Sequence, residues 1–495
     1  MNALTSTQIK TVVWVVFFKI VLLSFLPLTG DEAYFIKWAM HPSMGYYDHP
    51  PMIGWVIYLM SFVSENYVFY RFFALFTTMI IALVIYKIAR LYAVDREKSM
   101  MLYMLFLVSP VDVLLSLITN DITLVLFGSL GTLFLLYALE RREYWLKYSL
   151  LAGMFLAFTF LSKYFAVFLL FSLVVFSFMV YKKSAFKIVA VVSIIVLLGI
   201  AQNLWFNYNS CWNNILFNFF SRSTNDGIHI SRVLGFFALT AYIITPWGVY
   251  FLLKAKHKTQ NMKLNKLLFL VLGVIFIVFF AVSLKNSIGL HWFLLFIPFI
   301  YLLFVYLDMN QLNKMFKYNA IFSFIHIAIL MVVIFTPKTL FEKIERYSDV
   351  VLMDNPQAVC RGIAEYDAKR FFTSGYTSAA FLSYHCKKDI SMLFYDRKYA
   401  RYDDKLVDVR ELKEQNIVFM NKRKMDESYF KGVCADVSIQ KKMLGGAAFY
   451  FAECKAFSYD RYKKEFLDYQ NKNYYNIPEW LPVGKCYFKD RYYSE

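Results

Sequence analysis

Long apolar runs dominate the first two thirds of this 495-residue chain. Stretches of a length that crosses a bilayer core of about 30 Å occur about eleven times, approximately at 11–28, 66–92, 98–116, 121–139, 145–161, 164–181, 186–205, 233–253, 265–284, 290–307 and 318–336. Inside lipid each span must satisfy its own backbone hydrogen bonds, so we expect α-helices. The mean hydropathy of +0.47 and the 59% hydrophobic residues agree. The chain is predicted to be a polytopic α-helical membrane protein.

The positive charge of the chain predicts its topology. A net charge of +18 would suggest nucleic acid for a soluble protein. Within residues 1–336, most lysines and arginines fall in alternate short loops between spans, which we therefore assign to the cytoplasm. No small-residue cleavage site follows 11–28, so this span is predicted to be retained. We expect a plasma (inner) membrane protein with a cytoplasmic N-terminus, an external tail, contacts to membrane lipids and no nucleic-acid partner.

This topology brings one set of polar residues to the external face. Charged groups beside hydrocarbon are costly to hold, and their default interpretation is functional. The set consists of Asp31, Glu32, Asp48, His49, Asp121, Lys163, Arg222 and His291. The sequence therefore predicts a site at the external face.

The tail has a different character. Span-length apolar runs end near residue 336, and we predict a transmembrane domain over 1–336, with an external loop at 29–65, and an external soluble α/β domain over 337–495. Strand-like runs alternate with helix-like runs; the strands are Arg370–Thr373, Ile390–Tyr395, Asn416–Met420 and Ala447–Glu453, and the helices are Thr377–His385, Val407–Glu414 and Glu427–Val433. All six cysteines lie on the predicted oxidising side, where disulfides form. Spacing does not fix their pairing, although Cys434 and Cys454 are the closest of the tail cysteines in sequence.

The first external loop carries the densest motif. It reads Gly-Asp-Glu-Ala-Tyr over 30–34 and Gly-Tyr-Tyr-Asp-His-Pro-Pro over 45–51. The two acids at 31 and 32 either cap the end of the first span or supply a general base for a hydroxyl acceptor. The paired prolines force an extended path. The tyrosines could stack on a sugar, and the Asp-His pair could bind phosphate or a metal.

These residues resemble the first external loop of bacterial members of the dolichyl-phosphate-mannose protein mannosyltransferase family. Such proteins are GT-C type integral-membrane glycosyltransferases, related to the aminoarabinose transferase of lipid A. Three further stretches agree in order and in predicted membrane side: Thr119-Asn120-Asp121, Leu161-Ser162-Lys163-Tyr164 and Leu290-His291-Trp292. The resemblance covers approximately residues 10–336.

The resemblance implies a role for each residue of the external set. Asp31 would be the catalytic base and Asp121 its partner across the cavity. The implied substrate-binding residues are Glu32, Tyr46, Tyr47, Asp48, His49, Lys163, Arg222 and His291. Asp48 and His49 stand where the aminoarabinose branch carries Glu-Lys, so they are also candidates for a divalent metal. His49, Lys163 and Arg222 are alternative cations for a lipid phosphate.

The implied function is that of an inverting glycosyltransferase. It would move a sugar from a polyprenyl-phosphate (undecaprenyl-phosphate) monosaccharide to a lipid, glycan or protein acceptor, such as lipid A in lipopolysaccharide. A transporter or flippase of lipid-linked sugars is the alternative, since it also needs many spans and intramembrane charges. Transporters tend to have internal repeats and a site at mid-membrane, and the acids here cluster at one face.

Overall fold

The chain forms two compact units. A computed structural model describes residues 6–221, 227–255, 261–366, 369–395 and 401–494. The helical unit comprises Met1–Leu26, Ser64–Asn203 and Ser223–Ile334. The mixed unit comprises Pro27–Val63, Leu204–Arg222 and Phe335–Glu495. Two segments that the sequence assigned to the domain 1–336 thus belong to the same compact unit as the tail.

The helical unit is built from α-helices joined by short turns. The helices are Ser6–Phe25, Tyr67–Leu91, Arg96–Leu107, Pro110–Leu114, Asn120–Glu140, Trp145–Phe160, Ala166–Tyr181, Phe186–Tyr208, Ile230–Ile244, Pro246–Lys254, Met262–Ser283, Ile297–Leu303 and Met309–Phe335. Short 3-10 helices lie at Arg142–Tyr144, Lys182–Ala185, Leu290–Phe296 and Phe304–Tyr306. The helical membrane character predicted from the sequence is confirmed.

The lengths of these helices show which of them can cross a membrane. Among the described residues, six helices are long and apolar enough to cross a membrane, or seven if the bent pair Ile230–Ile244 and Pro246–Lys254 is one span. One of the six is the 43-residue stretch Ala166–Tyr208, which is about 65 Å long and has the length of two crossings. The 3-10 turn Lys182–Ala185 divides it. The count of eleven spans stays a prediction.

Small residues let the helices of this unit approach closely, as is common between membrane helices. The central helix Asn120–Glu140 packs against Trp145–Phe160. A Cβ atom on Gly131 would lie 2.7 Å from Leu156, and one on Gly128 would lie 2.6 Å from Leu295. This helix carries Asp121 in its first turn, so the packing fixes that carboxylate in the core of the unit.

The mixed unit combines short helices with one sheet. Its helices are Gly30–Met40, Met52–Ser61, Asn213–Ile215, Tyr347–Asp354, Pro356–Ala364, Tyr376–Cys386, Asp403–Leu406, Tyr459–Tyr462, Asp468–Tyr474 and Tyr487–Tyr492, with 3-10 helices at Lys338–Phe341, Val409–Leu412 and Glu427–Phe430 and π-helical turns at Leu216–Ser221 and Lys463–Leu467. The strands are β1 (Arg370–Thr373), β2 (Ile390–Met392), β3 (Ile417–Asn421), β4 (Cys434–Leu444) and β5 (Ala447–Phe457).

The five strands have the order β2-β1-β3-β5-β4. β1 pairs in parallel with β2 and β3, whereas β5 pairs antiparallel with β3 and with β4. The four strands expected from the sequence are present at similar positions, and β4 is the one that the pattern missed. Whether this unit lies outside the membrane stays a prediction.

Disulfides link residues of the mixed unit, and one of them joins two of its segments. Cys434 pairs with Cys454 between β4 and β5, and Cys360 pairs with Cys386. Cys211 pairs with Cys486, which lies 275 residues away. The expected oxidation of the tail cysteines is confirmed, including the pair closest in sequence.

Candidate functional site

Asp31 and Glu32 open the helix Gly30–Met40 in the mixed unit. Thr29 and Glu32 form a capping box, in which the Thr29 hydroxyl accepts from the Glu32 backbone and the Glu32 carboxylate accepts from the Thr29 backbone at 3.1 Å. Glu32 is fully buried, while Asp31 is exposed in the same turn. The structure thus gives Glu32 a capping role, and its contact with a substrate stays a prediction. Asp31 is the acid that a substrate can reach.

A close helix approach fixes the turn that presents Asp31. A Cβ atom on Gly30 would lie 2.9 Å from the Cβ of Thr377, which is closer than side-chain carbons pack. Thr377 belongs to the helix Tyr376–Cys386, which packs against Gly30–Met40. Glycine is the residue that permits such an approach. The start of the first-loop helix is therefore seated on a helix of the tail.

The tyrosines of the motif are packed inward. The Tyr46 ring stacks on Trp38 with centroids 4.2 Å apart and an interplanar angle of 6°. Its hydroxyl donates to the Trp38 carbonyl at 2.9 Å, and its backbone amide donates to the His49 carbonyl at 3.1 Å. Tyr47 is buried beside Phe217, whose ring centroid is 5.8 Å away. These rings shape the loop, and their contact with a sugar stays a prediction.

Asp48 forms a buried ion pair that the sequence did not predict. Its carboxylate lies 2.7 Å from Nη1 of Arg401, and the Asp48 side chain is 2% exposed. The Tyr34 hydroxyl donates to the other carboxylate oxygen at 3.4 Å. The Asn218 amide donates to the Asp48 backbone carbonyl at 2.8 Å. A buried carboxylate needs such partners because an unpaired charge is costly away from water.

This pairing bears on the predicted metal site at Asp48 and His49. The Asp48 carboxylate is neutralised by a guanidinium group, and His49 is half-buried near Trp38, with ring centroids 6.3 Å apart. Among the residues that the structure describes, no three His, Cys, Asp or Glu side chains form a group that could hold a metal. The predicted metal site at Asp48 and His49 stays a prediction, and we derive no step through a metal.

A second buried ion pair involves Lys37, which lies on the helix Gly30–Met40. Lys37 Nζ is 2.7 Å from Asp403 Oδ1 and donates to the Ile390 carbonyl at 3.0 Å. The other Asp403 oxygen accepts from the Met392 backbone amide at 2.9 Å. The adjacent Asp404 accepts from the Tyr475 hydroxyl at 2.6 Å. Nothing local in the sequence marks these charged residues, so their pairing was not predicted.

Burial sets the protonation of the acids at this point of the tail. The pKa of Asp404 is raised to about 7, chiefly by loss of water, and the neighbouring Asp403 carboxylate acts in the same direction. The hydroxyls of Tyr395 and Tyr475 act in the opposite direction. Burial also raises the pKa of Asp403, against the lowering effect of Lys37. Asp404 therefore titrates near neutral pH.

Asp121 and Lys163 form an ion pair in the helical unit. Lys163 Nζ lies 2.8 Å from Asp121 Oδ1, and both side chains are 8% exposed. Asp121 stands in the first turn of its helix, and Lys163 follows the end of Trp145–Phe160. The Asn120 Nδ2 beside them is buried without a hydrogen-bond partner in the structure. The sequence predicted both residues on one face, and the structure brings them into contact.

His291 and Arg222 complete the set of predicted site residues. His291 is exposed at the start of the 3-10 helix Leu290–Phe296. The neighbouring Trp292 ring lies 4.8 Å from that of Phe165. Arg222 lies outside the described residues. The roles assigned to His291 and Arg222 stay predictions.

Comparison with known proteins supports the resemblance seen in the motifs. The sequence model of the family described as dolichyl-phosphate-mannose-protein mannosyltransferase matches residues 48–206. Lipid A galacturonosyltransferase RgtD of Rhizobium johnstonii is 27% identical over 253 residues, which are 47% of this chain and 51% of RgtD. The chain thus spans about half the length of this curated relative.

Solved structures extend the likeness over nearly the whole chain. ArnT from Cupriavidus metallidurans bound to undecaprenyl phosphate has a TM-score of 0.63 at 13% identity, covering 91% of this chain and 98% of ArnT. Its apo form gives 0.61 at 12% identity, with 90% and 97% covered. At this identity the likeness shows the fold alone. The chain has the fold of ArnT, and its predicted resemblance to the dolichyl-phosphate-mannose-protein mannosyltransferase family is confirmed.

Proposed function

We propose that this protein is a membrane glycosyltransferase that uses a polyprenyl-phosphate sugar as its donor. The observation that carries the proposal is the exposed Asp31 on a rigidly seated helix, within a fold shared with ArnT, whose structure is bound to undecaprenyl phosphate. A carboxylate at a helix N-terminus is favoured by the helix dipole. It is thus held ready as a proton acceptor.

Asp31 acts as the general base of this reaction. The acceptor hydroxyl oxygen attacks the anomeric carbon of the donor sugar, and its proton passes to the Asp31 carboxylate. The bond between the anomeric carbon and the phosphate oxygen breaks, so polyprenyl phosphate leaves with the bonding electrons. A single displacement of this kind inverts the anomeric configuration. General-base assistance of this type contributes about 10²–10⁴-fold to the rate.

Lys163 supplies the positive charge that the leaving phosphate needs. An ammonium group has three donors, and Asp121 holds the Lys163 side chain in place at 2.8 Å. The remaining donors are available to a phosphate oxygen. In this proposal Asp121 orients the cation and does not itself exchange a proton with the acceptor.

The finer assignments follow the relatives. The name of RgtD indicates lipid A as an acceptor and a galacturonosyl group as the transferred sugar. We therefore propose lipid A, or a related envelope glycan or protein, as the acceptor and a hexosyl or pentosyl group as the sugar. We place the reaction at the external face of the inner membrane, with the N-terminus cytoplasmic and the tail external.

The test is transfer by the purified protein in lipid nanodiscs. A panel of undecaprenyl-phosphate sugars is offered with lipid A, and mass spectrometry detects released undecaprenyl phosphate and glycosylated lipid A. We expect both products with one donor from the wild-type protein and neither from Asp31→Asn. Movement of intact donor between the leaflets of proteoliposomes, without bond cleavage, would support the transporter or flippase alternative and contradict the proposal.

A further inference from the structure

Three consecutive tail residues each contact the first external loop. Arg401 pairs with Asp48 across 353 residues of sequence, and Asp403 pairs with Lys37 across 366. Between them, the Tyr402 ring lies 5.0 Å from that of Tyr46, and the Tyr402 hydroxyl donates to the His41 carbonyl at 3.4 Å.

We call Arg401, Tyr402 and Asp403 the clamp. The clamp contacts the loop at three successive points.

The Lys37–Asp403 pair is buried and hydrogen-bonded to the backbone. The two side chains are 2% and 1% exposed, so both charges have lost their water. The Ile390 carbonyl and the Met392 amide replace that water, because each bonds one member of the pair. A buried pair with satisfied partners adds little net stability but fixes one geometry, and removal of one partner is strongly destabilising.

The Arg401 guanidinium lies where all three segments of the mixed unit meet. Its central carbon is 3.9 Å from the ring centroid of Tyr376 in the tail. The rings of Tyr34 in the first loop and Phe217 in the middle segment lie 5.8 and 5.5 Å away. A planar guanidinium both stacks on rings and pairs with a carboxylate, which an ammonium group cannot do equally well. Arg401 therefore joins the segments 27–63, 204–222 and 335–495.

The clamp helps to fix the helix that carries Asp31. Lys37 lies six residues after Asp31 on the same helix, which is about 9 Å along the axis. The helix is thus held at its start by Gly30 against Thr377 and near its end by Lys37 on Asp403. Two fixed points on one short helix set its rotation. The direction of the Asp31 side chain is then determined by residues of the tail.

We propose that Arg401 and Asp403 are positioning residues for Asp31. They do not touch the substrate; they hold the first loop so that Asp31 has one orientation during the reaction. This inference rests on the proposed glycosyltransferase function. It extends that function to the tail, which becomes part of the catalytic framework.

The test combines hydrogen exchange with steady-state kinetics on the full-length protein. Arg401→Gln is compared with Arg401→Lys and with Arg370→Gln, a matched arginine whose pair with Glu411 is 48% and 59% exposed. Arg401→Gln should raise amide exchange in residues 30–51 by about tenfold and lower kcat by about 10- to 100-fold, since a shift of about 1 Å in a catalytic group costs that much. KM should change less than about threefold.

The controls separate positioning from general stability. Arg401→Lys keeps the charge but loses the planar stack, so its kcat should fall between those of wild type and Arg401→Gln. Arg370→Gln should match wild type in both measurements. Wild-type exchange and kcat in Arg401→Gln would overturn the proposal. Raised exchange throughout β3 and β5 together with 30–51 would also overturn it, because the effect would then be unfolding.

A second variant covers the case in which Arg401→Gln does not fold. Lys37→Met combined with Asp403→Leu removes the other buried pair without leaving a lone charge. The same rise in exchange over 30–51 is expected, and its absence would contradict the clamp. Exchange does not depend on turnover. The variant could show raised exchange while the wild-type protein releases no polyprenyl phosphate. This result would refute the proposed function and with it the positioning role.

Discussion

Two ion pairs, one in each unit, have similar geometry and different origins. Lys163 and Asp121 are 2.8 Å apart in the helical unit, and Arg401 and Asp48 are 2.7 Å apart in the mixed unit. The first pair joins residues 42 positions apart, at the ends of successive helices. The second joins residues 353 positions apart. Partners at the ends of neighbouring spans can be predicted from topology, whereas partners from opposite ends of the chain cannot.

The two units also differ in what they do with their candidate catalytic acids. Asp121 is buried and committed to a cation, whereas Asp31 is exposed and stands at a helix N-terminus. The same residue type therefore stands in two different environments. We assign proton transfer to the exposed acid and charge placement to the buried one, and the predictions below test that division.

The largest effect is expected from leaving the buried Asp121 without its cation. Lys163→Met should lower the free energy of unfolding by about 3–5 kcal/mol, because an uncompensated carboxylate remains in the core. Thermal unfolding in detergent measures the change. The exposed Lys147, which belongs to the helix before Lys163, provides the control, since Lys147→Met should have no such effect.

The double variant Lys163→Met with Asp121→Leu sharpens this prediction. It removes both charges, so most of the lost stability should return. A Lys163→Met protein as stable as wild type would mean that water reaches Asp121. The ion pair would then contribute no more to stability than an exposed pair. The contrast between a buried Asp121 and an exposed Asp31 would be wrong.

The next effect concerns the pH dependence of the mixed unit. Because the folded pKa of Asp404 is raised to about 7, the folded state binds this proton more tightly than the unfolded state does. The stabilisation is complete below about pH 4 and is lost as pH rises towards 7; over that window it amounts to at most about 4 kcal/mol. Above pH 7 this contribution should be flat.

Thermal unfolding between pH 4 and pH 8 tests this linkage. Asp404→Asn has no titrating group, so its melting temperature should decline less over the same window than that of wild type. The neighbouring Asp403 remains in both proteins and serves as an internal reference. Identical pH profiles for the two proteins would show that Asp404 titrates at an ordinary pKa.

The helical unit was predictable because its signals are local. Each span is recognised from its own composition, and the placement of Asp121 and Lys163 on one face follows from the order of the spans. The number of spans is harder to predict because some apolar runs are divided or short. Pro110 opens a new helix and so divides the run 98–116, and Trp145–Phe160 has only 16 residues.

The mixed unit was predictable only in part because much of it is assembled from distant segments. Local patterns found four strands but missed β4, whose many exposed residues include Asp436 and Lys441. They could not assign residues 27–63 to the tail, because the clamp exists only after folding. Arg401 and Asp403 look like ordinary surface charges in the sequence. Burial and pairing, which define their role, are tertiary properties.

The different roles proposed for Asp31 and Asp121 predict different effects of mutation on turnover and stability. Asp31→Asn should lower turnover by at least about a hundredfold, the scale of a lost general base, with an unchanged melting temperature. Asp121→Asn should lower turnover and melting temperature together, since Lys163 would remain buried beside a neutral group. Release of polyprenyl phosphate and thermal unfolding provide the two readouts. Glu97→Gln, at an exposed first-turn acid, is the control. Normal turnover of Asp31→Asn would remove Asp31 from the mechanism.

The smallest expected effect concerns two ion pairs of the mixed unit that have similar distances but differ in burial. Arg370 and Glu411 are 2.8 Å apart and largely exposed, whereas Lys37 and Asp403 are 2.7 Å apart and buried. A double-mutant cycle should give a coupling energy below about 1 kcal/mol for the exposed pair, because water screens both charges. The buried pair should show a coupling several times larger, since each single variant leaves one lone buried charge. Raising the salt concentration should weaken the exposed coupling and leave the buried one nearly unchanged. Equal couplings in the two cycles would mean that the clamp is solvated, and the tail would then have no hold on the loop that carries Asp31.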